Sequence, residues 1–275
     1  TFWIVVQYSR RFDHCCLIVG RKCRNKRLIG MRFLLYNIRY ATGRRVQSAW
    51  MDLFRRTDNH FASITQFIHE LNPDIVGLVE IDNGSFRTNK QSQPERLAEA
   101  IGHYHSFGVK YRQNGLLRRT PVFSKQGNAF LTREAVQRKT FHYFDHGFKR
   151  LVIELEIEQA NLFLVHLSLR RHIRKQQLDH LQQLVRSATK PCIVAGDFNA
   201  APPMRAHSAL PKSLKRVPTT QPTFPADQPK LAVDHIYYSA QWQPSKPLIA
   251  PTQASDHRPV IVDLKPVPPP ATAPA

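Results

Sequence analysis

The sequence predicts an α/β (α+β) four-layered sandwich, in which two mixed β-sheets pack face to face and helices cover the outside. Two observations lead to this fold class. Short apolar runs rich in β-branched residues outnumber the segments that have helical periodicity. Both hairpins and helical connections join these runs, so parallel and antiparallel strands are expected in the same sheets. An apolar share of 42% can fill such a core and is unlike that of a disordered chain.

Three segments have the spacing of amphipathic helices. Residues 58–71 place apolar side chains on one face, with Asp58 or Asn59 as the expected N-cap. Residues 94–102 and about 173–185 show the same helical pattern. Residues 149–157 and 161–169 are instead expected to be two strands that form a hairpin. The predicted strands are residues 32–38, 74–81, 127–133, 149–157, 161–169, 192–198, 233–239 and 259–264.

Residues 31–265 contain no internal repeat and no linker, so they are expected to form one domain. Residues 1–30 hold seven basic residues and one acid, without a sustained period. Because a strand pattern opens at Met31, we interpret residues 1–30 as a non-native or disordered extension. The alternatives are a basic arm on nucleic acid or a metal knuckle with unusual spacing, whose ligands would be His14, Cys15, Cys16 and Cys23. The Pro/Ala-rich residues 266–275 are expected to be a disordered tail.

The formal net charge of +20 favours polyanionic partners, such as nucleic acid, anionic lipid head groups or phosphorylated small molecules. A generic basic surface is the alternative. Of the four cysteines only Cys192 lies in the predicted core, which argues against a disulfide framework and favours a reducing, cytoplasmic compartment. No apolar stretch approaches the length of a membrane span. We expect a monomer without an obligate protein partner.

Polar residues stand at the ends of the predicted strands, where loops present side chains from a rigid sheet. Four of them are carboxylates, and their mutual repulsion would need a cation if they converge. Oxygen ligands favour a hard ion, Mg²⁺ or Mn²⁺, over zinc. The full set is Asn37, Glu80, His166, Asp197, Asn199, Asp234, Asp256 and His257.

Each of these residues has an ordinary structural explanation when it is taken alone. Glu80 can begin a loop, Asn37 can be a turn residue, and His166 can be a hydrogen-bonded core histidine. The GDFNAAP segment can be a tight turn in which Asp197 and Asn199 make local hydrogen bonds. Their joint occurrence in this order favours a catalytic site.

The motif order resembles the endonuclease/exonuclease/phosphatase superfamily (exonuclease III/DNase I-like), in particular its small bacterial-type members. The resemblance covers essentially all of residues 31–265, and it implies the DNase I-like sandwich and in-line attack of water on phosphorus. It rests on Asn37, Glu80, GNAFLTR (127–133), HLSL (166–169), GDFN (196–199), DHIYYS (234–239) and SDHRPV (255–260).

The resemblance also implies a metal site. Glu80 would be the principal ligand of Mg²⁺ or Mn²⁺, with Asn37 and Asp256 beside the ion. The second acidic ligand that some members place soon after the first asparagine is missing here, which favours a single-metal site. Arg39, Arg44 and Arg45 follow Asn37 and are candidates for phosphate contacts, although a solvated basic loop is the ordinary meaning of such a run.

The remaining residues would carry the catalytic roles. By resemblance, Asp197 orients or deprotonates the attacking water, or it protonates the leaving oxygen. Asn199 and His166 contact the scissile phosphate. His257 is the general base or an electrostatic partner, and Asp234 fixes its tautomer.

The resemblance leaves the substrate open. The histidine of HLSL stands where abasic-site repair endonucleases tend to have a tyrosine, so that repair role is disfavoured. The basic segments 118–126 and 170–177 are suited to a nucleic-acid backbone and favour a nuclease. A phosphatase or phosphodiesterase acting on inositol phosphates or phospholipid head groups is the first alternative. A catalytically degenerate polyanion-binding module is the second, and the intact set of catalytic residues argues against it.

Overall fold

The computed structural model describes residues 30–44, 57–110, 122–201, 210–219 and 221–268. Within these ranges thirteen strands form two sheets, and three α-helices accompany them. The helices are α1 (Asp58–Leu71), α2 (Gln93–Ile101) and α3 (Arg171–Ser187). The strands are β1 (Met31–Asn37), β2 (Ile75–Asp82), β3 (Tyr104–Val109), β4 (Gln126–Thr132), β5 (Arg138–Tyr143), β6 (Leu151–Glu156), β7 (Asn161–His166), β8 (Cys192–Asp197), β9 (Leu214–Arg216), β10 (Asp234–Ser239), β11 (Trp242–Pro244), β12 (Leu248–Ile249) and β13 (Val260–Pro266).

Both sheets are mixed, as the sequence predicts. The first has the order β11-β13-β1-β2-β4-β3, with β12 also paired to β13, and its β1 and β2 are parallel. The second has the order β5-β6-β7-β8-β10-β9, and its β7 and β8 are parallel. The helical connections α1 and α3 join the two parallel pairs, because a parallel crossover needs a longer path than a hairpin.

Three apolar clusters show how the layers pack. One lies between the sheets and joins inner side chains such as Phe33 and Phe130 to Leu164 and Ile236. A second fills the space between the first sheet and α1 and α2, and a third does the same between the second sheet and α3. The order helix, sheet, sheet, helix is the predicted sandwich. No described helix is long and apolar enough to cross a membrane.

The predicted elements are present, with differences at their edges. The hairpin is confirmed as β6 and β7, which pair antiparallel. The N-cap prediction was wrong, because α1 already includes Asp58 and Asn59; its N-cap is Thr57, whose side chain makes no capping hydrogen bond. Strand β13 runs through Pro266, one residue beyond the predicted domain end.

Five strands were not predicted: β3, β5, β9, β11 and β12. All five lie at sheet edges or are two or three residues long, and β5 (RKTFHY) has no fully buried side chain. An edge strand that is exposed on both faces lacks the alternation of apolar and polar residues by which a strand is recognised in a sequence. Residues 1–29, with the candidate knuckle, and residues 269–275 lie outside the described residues.

Candidate active site

The strand registers bring the polar strand ends to one edge of the sandwich. In the second sheet His166, at the end of β7, stands opposite Asp197 at the end of β8, and Asp234 at the start of β10 also faces Asp197. In the first sheet Asn37, at the end of β1, faces Val79 of β2, so Glu80 is the next residue along. The two edges meet, since Asn37 Nδ2 donates to Asp197 Oδ2 at 3.2 Å.

Glu80 lies inside β2, two residues before its end, as it also does near the end of the predicted strand 74–81. The pairing of β2 with β4 shifts register between Leu78 and Ile81, and Glu80 takes a left-handed φ of 57° at this bulge. Its backbone N–H donates to Asn128 Oδ1 of β4 at 3.2 Å. A bulge turns one side chain out of the regular alternation. Here it directs the Glu80 carboxylate towards His166, with Oε1 3.7 Å from Nδ1.

Asp197 is the centre of the cluster and is almost fully buried. Besides Asn37, its carboxylate contacts His166 Nε2 at 3.2 Å and accepts the backbone N–H of Asn199 at 2.9 Å. His257 Nε2 lies 4.0 Å away. Burial raises the pKa of Asp197, but the neighbouring His166, His257 and Lys149 outweigh it and hold this pKa well below its usual value. Asp197 is therefore a carboxylate at neutral pH.

His257 and Asp234 form a buried hydrogen-bonded pair. His257 Nδ1 lies 2.8 Å from Asp234 Oδ2, which leaves Nε2 on the side of Asp197. Ser255 braces the same loop, because its hydroxyl donates to the Asn37 carbonyl at 2.7 Å and accepts the His257 N–H at 3.3 Å. Burial lowers the pKa of His257, but the charges of Asp234, Asp197 and Asp256 raise it to about 10. His257 is thus an imidazolium at neutral pH.

His166 has a different protonation state. Burial and the charge of Lys149 lower its pKa below the ordinary 6.5, so its ring is neutral near pH 7. Lys149 Nζ and Asp197 Oδ2 both approach Nε2 of this ring. Nε2 thus faces both a carboxylate, which can only accept a hydrogen bond, and an ammonium, which can only donate one. Lys149 places a positive charge near both Asp197 and His166.

Glu80 and Asp256 are the acidic candidates for metal ligation, and both are partly accessible, with 20% and 13% of their side chains exposed. Burial raises the pKa of Asp256, and the charge of Glu80 raises it further. Burial also acts to raise the pKa of Glu80, but His166, Lys149 and Lys110 lower it below its usual value. Two carboxylates that repel each other are a donor set that fits a divalent cation.

A second group of possible ligands is more compact. Ligand atoms of Asp197, Asp234 and His257 all lie within 4.8 Å of one another, and this is the one such trio in the described residues. The Asp234–His257 contact has hydrogen-bond length, so Nδ1 of His257 is engaged by Asp234 and only Nε2 could bind an ion. The trio is therefore a candidate for metal binding as well as for proton transfer.

The three arginines after Asn37 are placed differently from one another. Arg39 Nε lies 3.3 Å from Asp256 Oδ2, and Nη1 donates to the Gly43 carbonyl at 3.2 Å. Arg39 is therefore held against Asp256 at the edge of the site. Arg44 is exposed, and Arg45 lies outside the described residues.

The two basic segments are only partly suited to phosphate contacts. Arg174 is buried and donates to two loop carbonyls, so it is not a surface contact. Residues 118–121 of the other segment are not described.

Three residues of the site were missed in the sequence: Asn128, Lys149 and Ser255. Asn128 and Ser255 belong to the GNAFLTR and SDHRPV motifs, so the motifs contained the signal. Lys149 begins a strand pattern that contains one other basic residue, Arg150, and nothing in its spacing marks it.

The sequence pattern of the endonuclease/exonuclease/phosphatase family matches residues 35–257. No curated protein sequence matches the chain significantly.

Solved structures share the fold at low identity. An endonuclease/exonuclease/phosphatase family protein from Bacteroides thetaiotaomicron is 15% identical with a TM-score of 0.68, covering 86% of this chain and 97% of that one. The mannosyl-6-phosphatase Bt3783 of the same organism is 16% identical with a TM-score of 0.65, over 85% and 99%. The human Nocturnin catalytic domain is 20% identical with a TM-score of 0.64, over 86% and 95%. From the family match over most of its length, the chain belongs to the endonuclease/exonuclease/phosphatase family.

Proposed function

We propose that this protein is a divalent-metal-dependent phosphoesterase that hydrolyses phosphodiester bonds, with nucleic acid as its substrate class. Members of its family are phosphoesterase hydrolases. One observation carries the proposal: the ionised Asp197 lies between a neutral histidine, His166, and a charged histidine, His257, which Asp234 orients. Groups with separated pKa values at one cleft are the usual basis of acid–base chemistry near neutral pH.

The protonation states favour one of the alternatives for each residue. Asp197 is ionised, so it can orient water and accept its proton, whereas it has no proton for a leaving oxygen before that step. His257 is already protonated, so it acts as a charged donor to phosphoryl oxygens and not as the base. Asp234 supports this role by holding the proton on Nδ1.

The phosphate-binding role of Asn199 and His166 is supported by their positions. Asn199 adopts a left-handed φ of 49°, and its side-chain amide donates to the Leu167 carbonyl at 2.8 Å. The remaining amide hydrogen is available to an oxygen of the substrate. Lys149 adds a cation beside His166, which favours binding of an anionic phosphate.

Asn37, Glu80 and Asp256 would hold the cation. When bound there, a divalent ion supplies Lewis-acid stabilisation of charge on the phosphoryl oxygens. The chain's own contribution is to fix this donor set, through Asn128 at the Glu80 bulge and Ser255 at the Asn37 carbonyl. Asp256 is also held by Arg39, which orients its second oxygen.

The test is turnover with Mg²⁺, Mn²⁺ or EDTA against bis(p-nitrophenyl) phosphate, p-nitrophenyl phosphate, plasmid DNA, single-stranded RNA and an inositol phosphate. Metal-dependent cleavage of nucleic acid, lost in Asp197→Asn and His257→Gln, is the expected result. Asp179→Asn and His105→Gln make the same chemical changes at exposed positions and should keep activity. Preference for the inositol phosphate would assign a phosphatase, and salt-sensitive DNA binding without turnover would assign a polyanion-binding module.

A further inference from the structure

An apolar cleft of about 470 Å³ opens next to the candidate active site. It lies between the loop that precedes β6 and the loop that follows β7, and both loops leave the sheet at the catalytic edge. Phe148 and Leu169 line it, and their side chains are 70% and 73% exposed. Lys149, which contacts His166, lines it as well. The cleft therefore begins where the proposed phosphate-binding residues end.

The exposure of these apolar side chains is fixed by the fold. Gln177 of α3 is buried and bonds both loops, accepting the Ser168 N–H at 2.8 Å and donating to the His146 and Lys149 carbonyls at 3.0 and 2.8 Å. Arg174, also on α3 and buried, donates to the carbonyls of Ser168 and Leu169, each at 2.9 Å. Two buried polar side chains thus hold both loops in place, as expected of a preorganised binding site.

The border of the cleft is cationic. Arg150, Arg170 and Lys149 line it together with the apolar side chains, and no acidic residue is among the described residues that line it. Such a lining is complementary to a ligand that carries negative charge and has an apolar part next to the phosphate. Unpaired nucleobases in protein complexes stack on aromatic rings and guanidinium planes. Basic residues of the same sites contact the phosphate backbone.

We propose that this cleft binds an unpaired nucleobase next to the scissile phosphate, with Phe148 as the stacking platform. This inference rests on the proposed phosphodiesterase function and narrows its substrate to single-stranded nucleic acid. A base inside a duplex has both faces covered by its neighbours and cannot reach Phe148. An acyl chain of a phospholipid is the competing occupant of the same apolar surface. Such a chain binds an aliphatic side chain as well as a flat aromatic ring of similar size, so it does not depend on the ring of Phe148.

The experiment compares two single-stranded oligonucleotides with the same sugar–phosphate length, one with bases and one with abasic sugars. The ratio of their kcat/KM values is measured in Mg²⁺ for the wild-type protein and for Phe148→Ala, Phe148→Trp and Phe148→Leu. We expect a wild-type preference for the base-bearing strand of about tenfold or more. The alanine and leucine variants should bring the ratio close to unity, and the tryptophan variant should keep it. Tyr104→Ala, which removes an exposed ring on the edge strand β3, should also keep it.

An unchanged ratio in Phe148→Ala would overturn the proposal. A leucine variant as selective as the tryptophan variant would also overturn it and would assign the cleft to an aliphatic ligand, which anionic phospholipid vesicles would then identify by cosedimentation. If the wild type cleaves plasmid DNA but neither single strand, this proposal fails and the proposed function stands; if it cleaves no nucleic acid, the proposed function fails. The cleft is then tested by fluorescence anisotropy with the same two strands in EDTA, where equal affinities for them would refute base stacking.

Discussion

Replacing Asp234 by asparagine should destabilise the protein by an amount that depends on pH. Asp234 Oδ2 lies 2.8 Å from His257 Nδ1, and both residues are buried. Of the groups that raise the pKa of His257 to about 10, Asp234 contributes most, against the lowering by burial. The asparagine keeps the shape and can accept a hydrogen bond, but it cannot balance the charge of an imidazolium.

The sign follows from proton binding. Histidine has an ordinary pKa of 6.5, so between that value and about 10 the native state holds one proton more than the unfolded state. The contribution of His257 to stability is fully present below pH 6.5 and falls by about 1.4 kcal/mol for each pH unit above it, until the folded pKa is passed. In Asp234→Asn the pKa of His257 is lower, so part of this dependence disappears. We expect the free energy of unfolding to fall by about 3 kcal/mol near pH 6, because one partner of a buried ion pair is removed. Near pH 9 it should fall by less.

The assay is urea denaturation followed by circular dichroism, in EDTA, at several pH values for the wild type and the variant. Asp179→Asn is the control, because Asp179 is an exposed residue of α3 that pairs with Lys175 at 2.8 Å. The free energy of unfolding of this control should differ little from that of the wild type at every pH. If the loss in Asp234→Asn were the same near pH 6 and near pH 9, His257 would not be the charged member of the pair and its assignment as an electrostatic donor would fail.

Further predictions concern the metal ligand, the lysine and the backbone of the GDFN motif. Glu80→Gln should weaken Mg²⁺ binding in calorimetry while leaving the melting temperature in EDTA nearly unchanged, and unaltered Mg²⁺ affinity would contradict its ligand role. Lys149→Met keeps the stem but removes the charge beside His166, so kcat/KM should fall about a hundredfold with folding intact; wild-type turnover would refute a phosphate contact. Gly196→Ala would place a Cβ against the Val165 carbonyl oxygen, too close for van der Waals contact, at a φ of 155°, so it should abolish folding or lower the melting temperature sharply. Gly102→Ala, whose Cβ would meet no atom within 4 Å, should cost far less.

The buried strands and the helices could be predicted from the sequence because their signals are local. Runs such as FLLYN and CIVAGD are apolar on both faces, as expected of central strands covered by a second sheet and by a helix. Edge strands β3 and β5 were missed because solvent on one or both faces removes that signal. The order of polar residues along the chain also identified the site, since each of them lies at or near the end of a strand.

The relation between those residues depended on tertiary structure. Glu80 reaches the site through a bulge at which its backbone N–H donates to the side-chain oxygen of Asn128, on another strand 48 positions later. Lys149 reaches His166 because two antiparallel strands place one loop beside the other, and no pattern near Lys149 indicates this. The protonation states of His166 and His257 differ because Lys149 adds to the effect of burial at His166, whereas three carboxylates outweigh burial at His257.

The sequence by itself therefore determined the layered fold, the family and the residue types at the catalytic edge, because hydrophobic periodicity and motif order are properties of the chain. The tertiary structure decided which carboxylate is central, which histidine is charged, and that an apolar cleft adjoins the phosphate site. These three features depend on distances between residues that are far apart in the chain. Electrostatic interactions and burial vary with such distances and not with separation along the sequence.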